Sequence, residues 1–146
     1  MSSGARCEVL IVEDDTIQCE EMAGLLGRTG IAVGMAFNGA SALRQAAELR
    51  PRVALLDYNL PDMNGVELAE RLRALLPEIS ILMMSGRIEG LSETAMRTAG
   101  VTVFVNKPVP LGLLRQAVVK LLRNGPIDPA AQKRTSWLSA GYGGTR

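Results

Sequence analysis

The feature that most constrains the fold is a set of apolar runs too short to cross a membrane and too continuous to face water. They are Val9-Leu10-Ile11-Val12, Val53-Ala54-Leu55-Leu56, and Ile79 to Met84, which only Ser80 interrupts. A strand without polar alternation must be covered on both faces, and parallel sheets flanked by helices are built from such strands. Between the runs, apolar residues recur at helical spacing. Ile17, Met22, Leu25 and Leu26 mark a helix to about Arg28, which Gly30 stops. Asn38 or Gly39 opens a second helix through Leu43, Ala46, Ala47 and Leu49, closed at Arg50-Pro51, where the residue before proline resists helical geometry. A third runs from about Gly65 through Leu68, Leu72 and Leu75 until Pro77.

The remaining stretches complete the alternation. Ile31 to Ala36 carries Gly34 and suits an edge strand. Ser92 to Ala99 reads as a short fourth helix, and Val101 to Val105 alternates in character as the opposite edge should. Leu114, Ala117, Val118, Leu121 and Leu122 share one face of a last helix from Leu111 to Leu122. Five strand-helix units result. With continuous runs central and weaker ones outside, the expected α/β fold is a flavodoxin-like, doubly wound, five-stranded parallel sheet of order 2-1-3-4-5, with helices on both faces.

Composition narrows the chemistry. A chain of 146 residues, 47% of them apolar, can bury one core, so residues 1–124 are expected to form one domain. Residues 125–146 are then a tail or short docking arm with no output domain. Within the tail, Asp128-Pro129 suits a helix start, and Trp137 and Leu138 could dock on a kinase or on a second copy in a homodimer. A net charge of +1 gives no basic stripe, so no direct nucleic-acid binding is expected. Cys7 and Cys19 form no Cys-x-x-Cys pair, the first residues lack a signal peptide's apolar segment, and no run can span a bilayer. A cytoplasmic location is therefore the expectation. The chain has no histidine, which removes Ser-His-Asp and Cys-His catalysis, histidine metal sites and a phosphohistidine of its own.

Carboxylates must therefore carry whatever chemistry there is, and they stand where strands end. The first strand leads to Glu13-Asp14-Asp15, the third to Asp57, the fourth to Ser85 and the fifth to Asn106-Lys107-Pro108. Ligand sites of open parallel sheets lie at these carboxyl ends. After Asp57, Pro61 and Asn64-Gly65 turn the chain into the next helix. Each piece alone has a plain reading: Asp14-Asp15 can cap a helix, Asp57 can form a turn, Ser85 and Lys107 can be surface residues, and Phe104 can be static packing. Three acids on one rim repel one another by roughly 4 kcal/mol per pair at 4 Å, so their convergence calls for a cation, and magnesium suits hard oxygen ligands.

Together, Ile11-Val12-Glu13-Asp14-Asp15, Asp57 with Pro61 and Gly65, Ser85, and Lys107-Pro108 resemble the receiver domain of two-component response regulators, over about Glu8 to Arg123. The resemblance implies that Asp57 accepts a phosphoryl group with Mg2+ held by Asp14, Asp57 and the Asn59 main-chain carbonyl, and by Glu13 through water. Glu13 departs from the commoner Asp. It further implies roles for Lys107 and Ser85 at the phosphoryl group, and a switch through Ser85 and Phe104 on the face of the fourth helix, fifth strand and fifth helix. The donor would be a sensor histidine kinase or histidine phosphotransfer protein. Asn59 and Arg87, two residues beyond Asp57 and Ser85, are expected to tune the lifetime of the phosphoryl group. A haloacid-dehalogenase-type phosphatase would need a second acid where Asn59 stands, and a flavin module would need glycines and hydroxyls where the first loop has acids. A pseudo-receiver that binds partners without phosphate is at odds with the intact set of acids.

Overall fold

The computed structural model of the chain describes residues 6–86 and 92–124. It contains β1 (Val9–Val12), α1 (Thr16–Arg28), β2 (Val33–Ala36), α2 (Gly39–Leu49), β3 (Val53–Asp57), α3 (Gly65–Leu75), β4 (Ser80–Ser85), α4 (Glu93–Thr98), β5 (Val103–Asn106) and α5 (Leu111–Arg123). All four strand pairings are parallel, in the order β2-β1-β3-β4-β5. Arg87 and the segment holding Trp137 and Leu138 lie outside the described residues.

Side chains alternate across the sheet and so feed two cores. Leu10, Val12, Ala54, Leu56, Ile81, Met83 and Phe104 meet the inner sides of α2, α3 and α4. Val9, Ile11, Val53, Leu55, Leu82, Met84, Val103 and Val105 meet α1 and α5. Fully burying one such side chain is worth about 1.5–3 kcal/mol, which is why the central strands keep their polar residues to the ends, at Asp57, Ser80 and Ser85.

Both edge strands start later than expected. β2 begins at Val33 because Gly30, at φ +87°, turns the chain back and the Ile31 N–H donates to the Leu26 carbonyl of α1. β5 begins at Val103 because the Val101 N–H closes α4 on Met96, and Thr102 bonds Ile81 through its hydroxyl as well as its backbone. The alternation read in β5 does not make one side wet, since α4 covers one face and α5 the other and all four residues are buried. α4 is one turn and a half long, capped by the Ser92 side chain.

Loop chemistry explains several boundaries. Asp15, Asn38 and Asn64 each accept a hydrogen bond at the start of α1, α2 and α3. α2 ends at Arg50 in the left-handed region, φ 48° and ψ 61°, where glycine is usual. A non-glycine residue held there costs on the order of 1 kcal/mol. Arg52, two residues on, donates to the Leu122 carbonyl and ties the last turn of α5 to the start of β3.

Candidate functional site

Glu13, Asp57 and Lys107 each sit at or just past the carboxyl end of a strand, in the alternation class of Ile11, Leu55 and Val105. The parallel register sets the ends of β1, β3, β4 and β5 beside one another, and the three side chains converge above the sheet. The Lys107 ammonium lies 2.7 Å from Glu13 Oε1 and 3.4 Å from Asp57 Oδ1, and 3.4 Å from Gln18 Oε1 of α1. Glu13 is 1% exposed and Asp57 6%. Asp14 beside them is exposed. One carboxylate oxygen from each of Glu13, Asp14 and Asp57 lies within 4.8 Å of the others, a separation one cation can bridge.

The electrostatics fit a cation site kept partly neutral by the lysine. Burial raises the Glu13 pKa; the Lys107 bond and the Asp15 N–H oppose this, and the charge of Asp57 adds to it, leaving a net rise. Burial works to lower the Lys107 pKa, yet the Glu13 hydrogen bond and the fields of Asp57 and Glu13 outweigh it, so the amine stays charged. Three carboxylates of hard oxygen donors facing one ammonium match a small divalent cation such as Mg2+.

The loop after Asp57 is shaped by close packing. A Cβ on Gly65 would lie 2.5 Å from Met83 Sδ and 2.9 Å from Tyr58 Cα, so only glycine lets α3 start there. The Gly65 N–H donates to the Tyr58 carbonyl and the Tyr58 N–H to Met84, which binds the loop to β4. Asn59 is exposed and bridges Asn64 across the loop.

Ser85 is wholly buried and pairs in register with Asn106. In β4 it follows Ile81 and Met83, which belong to the core that also holds Phe104.

The chain belongs to the response regulator receiver domain family. The family profile matches residues 9–119. The receiver is 35% identical over 115 residues to the transcriptional regulatory protein PrrA of Mycobacterium leprae, covering 79% of this chain and 49% of that protein. It is 35% identical over 116 residues to a cyclic di-GMP phosphodiesterase of Thermotoga maritima, covering 80% of this chain and 31% of that protein. A response regulator receiver domain protein of Methanospirillum hungatei superposes with a TM-score of 0.77 at 27% identity, over 92% of this chain and all of that one. The receiver spans about half the length of PrrA, and less of the phosphodiesterase. Receiver domains act as signalling switches in two-component systems, are phosphorylated by histidine kinases and bind Mg2+ in an acidic pocket. No helix among the described residues is long and apolar enough to cross a membrane.

Two contributors escape a reading of local pattern. Gln18 reaches Lys107 because Asp15 caps α1 and holds the Gln18 amide as well as its backbone N–H. Asp62 accepts from the Gly39 and Ala40 N–H groups at 2.8 and 2.9 Å, fastening the loop after Asp57 to the start of α2. Those two hydrogen bonds hold its pKa below the ordinary carboxylate value. Gln18 could be suspected from its spacing after Asp15; the partners of Asp62 lie more than twenty residues away and leave no local signal.

Proposed function

We propose that this receiver takes a phosphoryl group onto Asp57 from a phosphohistidine on a sensor histidine kinase or histidine phosphotransfer protein. The observation that carries the reading is the gathering of Asp57, Glu13 and Lys107 from three separate strand ends, with the Lys107 ammonium within 3.4 Å of Asp57. Asp14, Asp57 and the Asn59 main-chain carbonyl are the residues that would hold Mg2+, with Glu13 acting through water. When bound, the ion supplies positive charge to the phosphoryl oxygens.

Asp57 is the nucleophile: a carboxylate oxygen bonds to phosphorus as the bond to the donor's imidazole nitrogen breaks. Lys107, already charged, neutralises the transferred group and needs no proton exchange to do so. Ser85 then donates its hydroxyl to a phosphoryl oxygen, and Phe104 turns into the space left, altering the face of α4, β5 and α5. Asn59 and Arg87 set the hydrolysis rate by screening the approach of water. The receiver has no chemistry beyond the gain and loss of its own phosphoryl group. Residues 1–124 make up the receiver and residues 125–146 a tail, working in the cytoplasm through protein contacts.

Incubation with acetyl phosphate and Mg2+ tests this. A base-labile adduct of one phosphoryl group is expected by intact-mass analysis and phosphate-affinity electrophoresis, absent from Asp57→Ala and from samples in which EDTA replaces Mg2+. An equal adduct in Asp57→Ala would reject Asp57 as the acceptor.

A further inference from the structure

The opposite end of the sheet holds a cavity that phosphoryl transfer leaves unused. Arg50, Pro51 and Arg52 precede β3, Pro77 and Glu78 precede β4, and Arg6 precedes β1, so these residues lie a full strand away from Asp57. At roughly 3.3 Å per residue this is about 15 Å. The cavity measures about 400 Å³, within the size range of small-ligand sites.

Its charge is unbalanced. Arg6, Arg50 and Arg52 face a single acid among the described lining residues, Glu78, and none of the three is in an ion pair among the described residues; Arg52 gives one guanidinium N–H to the Leu122 carbonyl and keeps its charge unpaired. Planar guanidinium forks match phosphate oxygens two at a time, and Pro51 and Pro77 supply an apolar wall for the rest of a ligand.

Arg50 adds a second, independent observation. It occupies the left-handed region immediately before a proline, a position where glycine would be unstrained. Its side chain makes no intramolecular contact that offsets this strain: no hydrogen bond or ion pair forms to it among the described residues. Strained backbone at the mouth of a cavity marks a side chain wanted for what it binds.

We infer that this cavity binds a phosphate ester of a small molecule, of mononucleotide size, with the phosphate on Arg6, Arg50 and Arg52 and the body against Pro51 and Pro77. The site is separate from the Asp57 pocket and does not depend on phosphoryl transfer.

Calorimetric titration of the full chain in EDTA, repeated on Asp57→Ala, with AMP, pyrophosphate and adenosine, tests it. AMP is expected to bind saturably with a Kd below about 1 mM, equally in both proteins, and adenosine not at all. Arg50→Gly is expected to weaken AMP at least about tenfold while its melting temperature stays the same or rises, since the strain is relieved. Pyrophosphate binding without AMP binding, adenosine binding as well as AMP, loss of AMP binding in Asp57→Ala, or unchanged affinity in Arg50→Gly would each overturn the inference.

Discussion

Replacing Lys107 by Met keeps an apolar stem of similar length and removes the ammonium from between two acids. Glu13, 1% exposed, loses its 2.7 Å partner and keeps one backbone donor, the Asp15 N–H at 3.1 Å, with the Asp57 carboxylate still within 4.8 Å. Two carboxylates at that spacing repel by about 3.5 kcal/mol at an effective dielectric of 20. Breaking one partner of a buried pair costs about 3 kcal/mol, so Lys107→Met is expected to be destabilised by about that amount in EDTA at pH 7.5. The loss is limited because Glu13 can take up a proton. Its folded-state pKa is already raised, chiefly by burial, and rises further without the ammonium. A raised carboxyl pKa destabilises above the unfolded value and ceases to do so below it, so the deficit shrinks by up to about 1.4 kcal/mol per unit as pH falls from 7.5 toward 5.5. Glu13→Gln combined with Lys107→Met removes both the charge and its need for a partner, and should recover more than half of the stability. Urea unfolding at the two pH values, with circular dichroism as the probe, reads both effects. A deficit that is the same at pH 5.5 and 7.5, or a double variant no more stable than the single, would refute the reasoning.

Three further outcomes are expected. Gly65→Ala drives a methyl group into Met83 and the Tyr58 backbone and should cost about 1–3 kcal/mol while slowing adduct formation on Asp57, read by urea unfolding and intact mass; full stability and rate would contradict the packing argument. Asp62→Asn should lower the melting temperature at neutral pH, and the gap to the parent chain should close as pH falls below 3.8, because the lowered pKa of Asp62 gives stability that is present above the unfolded value and lost through the folded one. Ile17, 69% exposed on α1 beside the acidic rim, should serve the phosphodonor protein, so Ile17→Ala is expected to slow transfer from a phosphohistidine protein several-fold and leave the acetyl phosphate rate unchanged.

Much of the fold and the site is legible in the residues because burial on two faces leaves an unmistakable trace. Val9-Leu10-Ile11-Val12 and Val53 to Leu56 read as central strands, and their ends locate Glu13, Asp14 and Asp57. The edges are less legible. Ile31 and Val101 are as apolar as strand residues, but the N–H of each is claimed by the preceding helix, a competition that hydropathy does not record. β5 looks half-wet because Thr102 and Asn106 are polar, while Thr102 is buried through its bond to Ile81. The meeting of Asp62 with α2, and of Gln18 with Lys107, depends on how units pack against each other, which a linear pattern carries only weakly.

The Asp57 loop is fastened differently on its two flanks, with a side-chain clasp on α2 and a main-chain bond to β4. Asp62 grips the first N–H groups of α2, and Met63 lies against Gly39 so closely that it would have to shift to admit a side chain there. Toward β4 the same loop is held by the main-chain bond from the Tyr58 N–H to the Met84 carbonyl and by the packing of Gly65 on Met83. A phosphoryl group on Asp57, as proposed, is therefore expected to displace the loop toward the β4–β5 edge sooner than toward the α2 flank, a direction set before any partner docks.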